Sequence, residues 1–418
     1  MRFIHTADIH LDSPLTGLSA YADAPVELLR TATREAFTNL VTEAISEKVD
    51  FLVVAGDLYD GTWRDHNTGI YFVKEMGRLN KAGISVYLLF GNHDAESEAT
   101  KRLLLPSNVH TFDSKKASTF KIDHLGVALH GRSFKTAATT ENLVPTYPDP
   151  TPGWLNIGVL HTALEGNSVH PNYAPCSLAE LHAKGYQYWA LGHVHEYRYE
   201  QGASHVVFPG NLQGRHIRET GPRGAVLVTA DDAGIQNVER IYVDVLRWHR
   251  LDVDVSVAST LTDAVRSVGA DLERLASDSP QNIPLAVRVT LTGQTAAHGQ
   301  LFGLDTQLRA EIIGQAVALG QDRFWIEKLK VETSGVDTDE QIRSRMDAIS
   351  DLQVLLDSAE TDASLLTSLQ KQFAPLIGKA PLELHAAVPY FEEIKHGDLA
   401  ELIRAVRPSL LAYLAAEE

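Results

Sequence analysis

The chain has 418 residues and a mass of 45.9 kDa, which suggests two or three domains. Its hydrophobic and charged fractions, 44% and 22%, are typical of a globular protein with a sizeable core and exclude disorder as the main state. The formal net charge of −17 excludes a chain that binds nucleic acid through an overall positive charge.

Targeting and redox signals point to the cell interior. No apolar run approaches the roughly 18 residues of a membrane-spanning helix. The first residues include Asp8 and His10 where a signal peptide has its apolar stretch. Cys176 is the single cysteine, so neither an internal disulfide nor a cysteine-based zinc site can form. We therefore expect a cytoplasmic protein without a membrane segment.

The first 240 residues alternate strand and helix signals. Continuous apolar runs at Phe51–Ala55 and Ile84–Phe90 are typical of strands covered on both faces. Helices are predicted at Val26–Lys48 and His66–Ala82, and a long loop at Thr136–Gly153. Further strands are predicted at Arg2–Ala7, Leu125–His130, Leu155–His161, Tyr188–Leu191, Val206–Phe208 and Ala225–Thr229.

A second unit begins near Arg240 and is more acidic, since residues 241–418 carry 16 Lys and Arg against 27 Asp and Glu. Its pattern predicts a small α/β module followed, from Val336 onward, by helices only. The expected division is 1–240, 241–335 and 336–418. The module's predicted strands are Val253–Val257, Pro284–Thr292 and Phe324–Glu332, and its helices are Ser259–Ala276 and Asp305–Leu319. In the last part, apolar residues recur at helical spacing at Ile342, Met346, Ile349 and Leu356, and again at Leu399, Leu402, Ile403 and Val406.

Five short polar motifs follow predicted strands or lie in connecting loops. They are Asp8-Ile9-His10, Gly56-Asp57, Gly91-Asn92-His93-Asp94, His161 after the strand NIGVL, and Gly192-His193-Val194-His195. Each motif alone is weak evidence for a functional site. An aspartate after a strand is commonly a turn or cap residue, and a single histidine is more often a hydrogen-bonded polar residue than a metal ligand. Their shared placement is informative, since α/β sheets build sites at the carboxyl ends of strands. Together the motifs predict a metal site.

The donor types indicate which metals the site would hold. Asp, His and Asn without a thiolate suit first-row divalent ions such as Mn²⁺, Fe²⁺ or Zn²⁺. Seven candidate ligands are too many for one ion, whereas two ions that share a bridging carboxylate would use them well. Two ions about 3.5–4 Å apart are the usual arrangement for displacement at phosphorus, because they lower the pKa of a water molecule and neutralise charge on the phosphoryl oxygens.

The series DxH, GD, GNHD, H and GHxH resembles the calcineurin-like metallophosphoesterase superfamily. More narrowly, FIHTADIHLDSP, GDLYD and the segment FPGNLQGRHIRETGPRG at 208–224 resemble the nuclease subunits of SbcCD-type DNA-repair complexes, and most of all the YhaO-like exonucleases. The motifs cover residues 1–230, and the last 180 residues agree in layout only. The resemblance implies an α/β fold: a metallophosphoesterase β-sandwich flanked by helices (1–240), a small α/β cap domain that contacts DNA (241–335) and a helical C-terminal region that docks a partner (336–418).

The resemblance also implies roles for individual residues. His93 would protonate the leaving oxygen or stabilise the transition state, with a purely structural pairing to Asp94 as the alternative. Asp94 would either contribute to the site or only orient its loop. Some relatives carry a second catalytic histidine three residues after the bridging aspartate, where this chain has Asp60. The metal, expected to be manganese, would occupy two positions: a first ion on Asp8, His10 and His195, a second on Asn92, His161 and His193, and Asp57 bridging both.

A nuclease must also hold a polyanion. The candidate phosphate contacts are Arg215, His216 and Arg218, because arginine can bind two phosphate oxygens at once. The alternative is that these residues form surface ion pairs with Glu219 and other acids. No basic groove interleaved with aromatic residues is visible, so sequence-specific readout of DNA is not expected.

The leading hypothesis is a Mn²⁺-dependent DNA exonuclease with some endonuclease ability, acting in DNA repair with a coiled-coil ATPase of the SbcC or YhaN type. The helical region 336–418 would dock the ATPase, unless its apolar stripes pack on the catalytic domain. A homodimer through Val26–Lys48 is a further possibility, although that stripe would equally face its own sheet. Two alternatives remain open: a small-molecule phosphodiesterase or phosphatase with the same dimetal site, and a non-catalytic subunit that tethers DNA.

Overall fold

The structure is a computed structural model that describes residues 1–13, 25–60, 66–96, 104–164, 173–320, 322–336, 354–356, 358–377, 391–404 and 406. The chain divides into two compact units. One unit comprises Met1–His249 and Asn282–Ala286, and the other comprises Arg250–Gln281 and Val287–Glu418. Over the described ranges, no helix has both the length and the apolar character needed to cross a membrane.

Two six-stranded mixed sheets form the centre of the first unit. In the first sheet, four neighbouring strands run parallel to one another, and two further strands extend it in the antiparallel sense. In spatial order its strands are β12 (Gly234–Tyr242), β11 (Gly224–Asp231), β1 (Arg2–Thr6), β2 (Phe51–Ala55), β3 (Ser85–Leu89) and β4 (Val109–Thr111). The buried parallel centre is where the sequence has its continuous apolar runs.

The second sheet has four parallel central strands and an antiparallel strand at each edge. In spatial order its strands are β5 (Ser118–Ile122), β6 (Val127–Gly131), β7 (Leu155–His161), β8 (Tyr188–Gly192), β10 (His205–Phe208) and β9 (Arg198–Gln201). Strands β7 and β8 each end on a residue of a polar motif or directly before one.

One core of this unit lies between the two sheets. Phe3 of β1 stacks on Phe51 of β2 with ring centroids 4.9 Å apart, and Tyr188 of β8 meets Phe3 edge-on at 5.4 Å. Helices α1 (Val26–Ser46) and α2 (His66–Lys81) contribute to the core on the outer face of the first sheet. The short helix α3 (Asn92–Glu96) follows β3, and the short helix α4 (Leu178–Ala183) precedes β8. The expected fold class, a β-sandwich flanked by helices, is confirmed.

The apolar stripe of α1 is used within its own unit. Leu29, Ala36 and Leu40 are buried, and the last two pack in the same core as Ile4 and Leu52 of the first sheet. Of the two alternatives for this helix, the stripe that faces its own sheet is the one observed.

Most of a three-stranded sheet and several helices belong to the second unit. The sheet order is β13 (Arg247–Asp254), β14 (Leu285–Gln294), β15 (Phe324–Ser334). Helix α5 (Leu261–Asp278) begins with a capping box in which Thr260 and Asp263 exchange side-chain to backbone hydrogen bonds. The remaining helices are α6 (His298–Gly303), α7 (Asp305–Ala318), α8 (Ala363–Ile377) and α9 (Phe391–His396). No residue of α8 is buried. The predicted stripe residues Ile342, Met346 and Ile349 lie outside the described residues.

Two predicted strands are displaced for local reasons. Instead of Val253–Val257, the strand is Arg247–Asp254, because the Asp254 carboxylate accepts the Ser256 backbone N–H at 2.9 Å and turns the chain. Instead of Leu125–His130, the strand is Val127–Gly131, because residues 123–125 form a 3₁₀ turn that Gly126 ends in the left-handed conformation. Strands β4, β5, β9 and β12 have no counterpart among the predicted elements.

Gly158 in β7 gives a direct test of the sandwich packing. A Cβ atom at Gly158 would lie 2.4 Å from the indole ring of the buried Trp189, so Gly158→Ala is expected to lower the free energy of unfolding by about 1–3 kcal/mol. At the control position Gly77, in α2, a Cβ would meet no atom within 4 Å, and Gly77→Ala should raise stability by up to about 1 kcal/mol. Denaturant titrations measure both changes, and equal effects of the two substitutions would contradict the packing described.

Candidate metal centre

The carboxyl ends of five strands bring the predicted ligands together. Asp8 and His10 follow β1, Asp57 follows β2, Asn92 follows β3, His161 ends β7, and His193 and His195 follow β8. Six of these seven side chains are buried, and the His195 side chain is 17% exposed. So many ionisable groups away from water require compensating charges or hydrogen bonds.

Several of these residues follow a glycine, because the close packing leaves no room for a side chain at that position. A Cβ at Gly91 would lie 2.3 Å from Oδ1 of Asp57, and a Cβ at Gly192 would lie 2.0 Å from the Ala55 carbonyl oxygen. Gly56 has φ of +101°, and a Cβ there would lie 2.3 Å from Nδ1 of His161. The pairs Gly-Asp, Gly-Asn and Gly-His therefore recur because backbone must pass close to a neighbouring polar side chain.

Four predicted ligands have a left-handed backbone conformation, which side chains other than glycine rarely adopt. The φ angles are 49° for Asp8, 45° for His10, 52° for Asp57 and 99° for His193. Such conformations are of order 1–3 kcal/mol unfavourable each and persist only where the surroundings enforce them. Among those surroundings, both carboxylate oxygens of Asp8 accept the backbone N–H of His193, at 3.0 and 3.1 Å.

One cluster of donors consists of Asp8, His10 and His195, whose nearest ligand atoms lie within 4.8 Å of one another. Nε2 of His10 and Nε2 of His195 are 3.2 Å apart. Nδ1 of His195 faces the buried carboxylate of Glu219 at 2.8 Å, so Nδ1 carries the proton and Nε2 presents its lone pair. A carboxylate behind a histidine is a common way to orient and strengthen a metal ligand.

A second cluster consists of Asp57, His161 and His193, again with ligand atoms within 4.8 Å of one another. Nε2 of His161 lies 3.0 Å from Oδ1 of Asn92 and 3.4 Å from Oδ2 of Asp57. Nδ1 of His161 donates to the Ala55 carbonyl at 2.9 Å, which directs Nε2 toward these two oxygens. The donors around Nε2 therefore fit a divalent cation: a carboxylate, an amide oxygen and imidazole nitrogens.

The electrostatics of the second cluster favour a positive charge beside the Asp57 carboxylate. Burial lowers the pKa of His161, but the charge of Asp57 and its hydrogen bond outweigh burial and raise that pKa to about 9. Burial raises the pKa of Asp57, but His161 holds it well below its usual range. A protonated His161 thus supplies the positive charge that a cation would otherwise supply beside Asp57.

In the first cluster the histidine is already in the form that binds metals. Burial, with the charge of Arg215 as a smaller cause, lowers the pKa of His10 to about 3, so its imidazole is neutral at pH 7. Burial raises the pKa of Asp8 to about 6, against the charges of His195 and His161. The Asp8 carboxylate is therefore still mostly ionised at pH 7.

Asp94 and His93 have distinct surroundings. The Asp94 carboxylate accepts the backbone N–H groups of Gly91, Leu58 and Tyr59 at 3.0–3.2 Å, so Asp94 ties together the loops that follow β2 and β3. The backbone N–H of His93 donates to Oδ1 of Asp57 at 3.1 Å. The His93 side chain is 38% exposed, and its ring meets that of His10 edge-on with centroids 5.1 Å apart.

The three predicted phosphate contacts separate into different environments. Arg215 is 14% exposed and lies 3.4 Å from the Glu219 carboxylate and 3.4 Å from Nδ1 of His195, which makes its ion pair a buried one beside the ligands. His216 is partly buried, and burial lowers its pKa. Arg218 is exposed. The expected pairing with Glu219 is thus present for Arg215 and also for His216, whose Nε2 lies 3.7 Å from Oε1 of Glu219, and both pairs are partly buried.

Residues that support the ligands were not recognised as such from the sequence. Glu219 was considered only as a surface partner of arginines, yet it is buried and also accepts hydrogen bonds from Asn211 and from the Arg215 backbone, at 2.9 and 2.7 Å. Ser13 donates to Asp60 at 2.6 Å. Neither Ser13 nor Glu219 has a distinctive spacing from the motifs. The only signal was that both lie within segments that resemble the family.

Comparisons with known proteins agree with this architecture. The calcineurin-like phosphoesterase family matches residues 1–197, and the middle domain of metallophosphoesterase YhaO matches residues 248–334. An uncharacterized metallophosphoesterase YhaO from Bacillus subtilis is 35% identical over 298 residues, which cover 70% of this chain and 72% of that protein. The family expected from the motifs is confirmed.

More distant relatives carry names that concern DNA. The DNA double-strand break repair protein Mre11 from Methanopyrus kandleri is 27% identical, and the matched region covers 60% of this chain and 58% of that protein. The protein of the same name from Sulfurisphaera tokodaii is 26% identical and covers 51% and 58%. A dimetal phosphatase structure from Danio rerio matches with a TM-score of 0.35 and 13% identity over 58% of this chain and 98% of that chain, and at this score it supports no further statement.

Metal binding is expected to release protons and to strengthen as the pH rises. Because the raised pKa of His161 leaves it protonated at pH 7, a cation that binds Nε2 must displace that proton. The affinity for Mn²⁺ should rise by about tenfold per pH unit between pH 6.5 and 8.5 and level off above about 9, where His161 is already neutral. Calorimetric titration in buffers of different ionisation enthalpy measures the protons released. An affinity independent of pH, with no proton release, would contradict the geometry.

Glu219→Gln is expected to weaken metal binding without changing a ligand. The substitution keeps the size of the side chain but removes the negative charge that faces Nδ1 of His195, and loss of such a partner typically lowers metal affinity about 10- to 100-fold. Glu200→Gln is the matched control, because Glu200 pairs with the exposed Arg198 in β9, away from the donor clusters. Unchanged affinity in Glu219→Gln, measured by the same titration, would show that Glu219 does not act on the ligand.

Proposed function

We propose a DNA substrate for this chain, which belongs to the calcineurin-like metallophosphoesterases of the YhaO type and is therefore a metal-dependent phosphoesterase. The observation that carries the metal-dependent part of the proposal is the presence of two donor clusters, one of which includes the buried Asp57. In the proposed assignment Asp8, His10 and His195 would hold one divalent ion, Asn92, His161 and His193 would hold the other, and Asp57 would be shared between them. The proposed physiological metal is Mn²⁺, which oxygen and imidazole donors suit.

The reaction proposed is hydrolysis of a phosphodiester bond. When bound, the two ions would lower the pKa of a water molecule and neutralise charge that develops on the phosphoryl oxygens. The protein's own residues hold the ligands in orientation, through the Ala55 carbonyl behind His161 and the Glu219 carboxylate behind His195. His93 would donate the proton that the departing sugar oxygen requires, since imidazole is suited to proton transfer near neutral pH.

The position of His93 supports that role. Its backbone N–H is fixed on Asp57, so its side chain starts beside the proposed bridging ligand. Its side chain is 38% exposed, whereas six of the seven proposed ligands are buried and His195 is 17% exposed, as expected for a group that must reach a substrate at the surface.

DNA is proposed over a small phosphodiester because of the relatives and of the chain beyond the site. Two relatives are named as DNA double-strand break repair proteins, although this chain covers only 58% of each. In the proposal, Arg218 at the surface and Arg215 and His216 beside the donors contact phosphates, and residues 241–335 form a cap that contacts DNA. Arginine is suited to phosphate because its planar fork binds two oxygens.

A partner is proposed for the C-terminal region. Helix α8 buries none of its residues although Leu365 and Leu376 are apolar, which leaves an apolar surface to be covered. The proposed partner is a coiled-coil ATPase of the SbcC or YhaN type in the cytoplasm, within a DNA-repair complex. A pull-down tests this: the full chain should retain the ATPase and a chain that ends before Val336 should lose it, so retention by the shortened chain would contradict the docking site.

Nuclease activity is tested with a 3′-labelled linear duplex in Mn²⁺ and then in Mg²⁺. The wild-type chain should release nucleotides in Mn²⁺, and Asp57→Asn should lose at least about 100-fold in rate, because the substitution removes the charge proposed to bridge both ions. Asp113→Asn is the matched control, because Asp113 is an exposed turn residue after β4.

The control substrate separates the remaining alternatives. Cleavage of bis-p-nitrophenyl phosphate without release from duplex DNA, even with the ATPase present, would favour a small-molecule phosphodiesterase. No cleavage of either substrate would favour a non-catalytic subunit.

A further inference from the structure

Two tyrosines and two arginines from separate segments of the first unit contact one another in alternation. The guanidinium carbon of Arg240 lies 4.5 Å from the ring centroid of Tyr197 and 5.0 Å from that of Tyr242. The guanidinium carbon of Arg247 lies 5.7 Å from the ring centroid of Tyr242. All of these residues belong to the unit that includes Met1–His249. We call this set of four residues the Tyr–Arg stack.

The stack lies at the same end of the first sheet as the donor clusters. The strand register places Arg240 of β12 opposite Val226 of β11, and Val226 opposite His5 near the carboxyl end of β1. Since neighbouring strands are about 4.8 Å apart, the backbone of Arg240 lies roughly 10 Å across the sheet from His5. The proposed ligand Asp8 follows His5 by three residues. One nucleic-acid strand can therefore reach both the donor clusters and the stack.

A short series of contacts joins the stack to the loop of a proposed ligand. Tyr197 follows His195 by two residues. Nη2 of Arg240 donates to the Pro222 carbonyl at 3.1 Å. Arg223, the residue after Pro222, donates through Nη1 to the His195 carbonyl. The position of the Arg240 guanidinium is thus fixed relative to the donor clusters.

The two arginines of the stack differ in how their charges are compensated. Arg247 makes two hydrogen bonds to the buried Asp244 carboxylate, at 2.7 and 3.1 Å. Over the described residues, Arg240 forms no ion pair, and its hydrogen bond to Pro222 uses only one of its N–H groups. In a chain with a net charge of −17, such a guanidinium, held against two rings, is a favourable contact for a phosphate.

The tyrosines provide an aromatic surface beside that charge. Tyr242 is 52% exposed, whereas Tyr197 is partly buried and packs against the core between the two sheets. Aromatic rings combined with positive charge are the usual means by which proteins hold single strands, because bases stack on the rings. In a duplex the faces of the bases are covered by their neighbours. An unpaired strand is therefore the form of nucleic acid that can use both the rings and the charge.

We propose that the Tyr–Arg stack binds an unpaired DNA strand, such as an overhang or a frayed end, beside the metal centre. Arg240 contacts a phosphate and Tyr242 stacks on a base, while Tyr197 and Arg247 hold these two side chains in position. This inference rests on the proposed DNA substrate and names the form of DNA that the chain would hold. The sequence alone did not indicate such a site, because residues 197, 240, 242 and 247 come together only in the fold.

Fluorescence anisotropy of a fluorescein-labelled oligothymidylate tests the proposal, in EDTA so that no strand is cleaved. Tyr242→Ala is expected to raise the Kd about 5- to 150-fold, and Tyr242→Phe, which keeps the ring, should stay within about twofold of the wild type. Arg240→Gln should raise the Kd and reduce the steepness of log Kd against log salt by about 0.7, which corresponds to one phosphate contact on a single strand. Arg240→Lys should keep that steepness, because it keeps the charge.

Lys121→Gln is the matched control. Lys121 also lies over an aromatic ring, 5.3 Å from the centroid of Trp154, but it lies in β5 beside the amino end of β6, away from the donor clusters. Its substitution should change neither the Kd nor the salt dependence. A second readout is ultraviolet cross-linking to an oligonucleotide that contains 5-bromouracil, and the adduct, located by mass spectrometry, should be on Tyr242 or Tyr197.

Two results would overturn the proposal. One is an unchanged Kd in both Tyr242→Ala and Arg240→Gln, with cross-links elsewhere in the chain. The other is an equal loss of affinity for a blunt duplex and for the oligothymidylate, because the stack would then contact phosphates without selecting unpaired bases.

Failure of the proposed function gives a different result. If the wild type cleaved bis-p-nitrophenyl phosphate but no DNA, while oligothymidylate binding still depended on Tyr242 and Arg240, the nuclease function would be wrong and the binding site would stand. If the wild type cleaved DNA while neither substitution changed the Kd, the nuclease function would stand and the binding site would be wrong.

Discussion

The buried carboxylate of Asp57 is the constraint on which the rest of the site depends. It is 2% exposed and its pKa is held well below its usual range, so the protein keeps a negative charge away from water between two sheets. A charge in that position must be compensated. His161 compensates it through a raised pKa, and the backbone N–H of His93 contributes a hydrogen bond. The same negative charge attracts a divalent cation, so the affinity for the metal is linked to the protonation of His161.

The atoms behind the donors decide how the donors point. The Ala55 carbonyl and the Glu219 carboxylate each accept a hydrogen bond from Nδ1 of a histidine. The Asp94 carboxylate connects the loop of Asp57 to the loop of Asn92, because it accepts hydrogen bonds from three backbone N–H groups. The left-handed backbone of Asp8, His10, Asp57 and His193 is maintained within this network. The geometry of the site thus depends on the strand ends, on the close-packed glycines and on the groups that hydrogen-bond to the candidate ligands, and not on those ligands alone.

The sequence predicted the buried parts of the fold well and the exposed parts poorly. β2 was predicted with the observed ends, because a strand covered on both faces has a continuous apolar run. β7 was also predicted with the observed ends. The four strands without a predicted counterpart, β4, β5, β9 and β12, are the four outer strands of the two sheets, and edge strands need no such run. The candidate site follows the same division: the sequence motifs identify the polar residues that the structure brings together, whereas Glu219 could not be identified, because only the fold brings it behind His195.

The central claim is that Asp57 lies between two divalent ions. Electron paramagnetic resonance of the chain titrated with Mn²⁺ tests it most directly, because two Mn²⁺ ions that share a carboxylate are magnetically coupled and isolated ions are not. Two ions per chain with a coupled multi-line spectrum are expected in the wild type, and loss of the coupling is expected in Asp57→Asn. A single uncoupled ion per chain at saturating Mn²⁺, with the same spectrum in Asp57→Asn, would contradict a bridging role for Asp57.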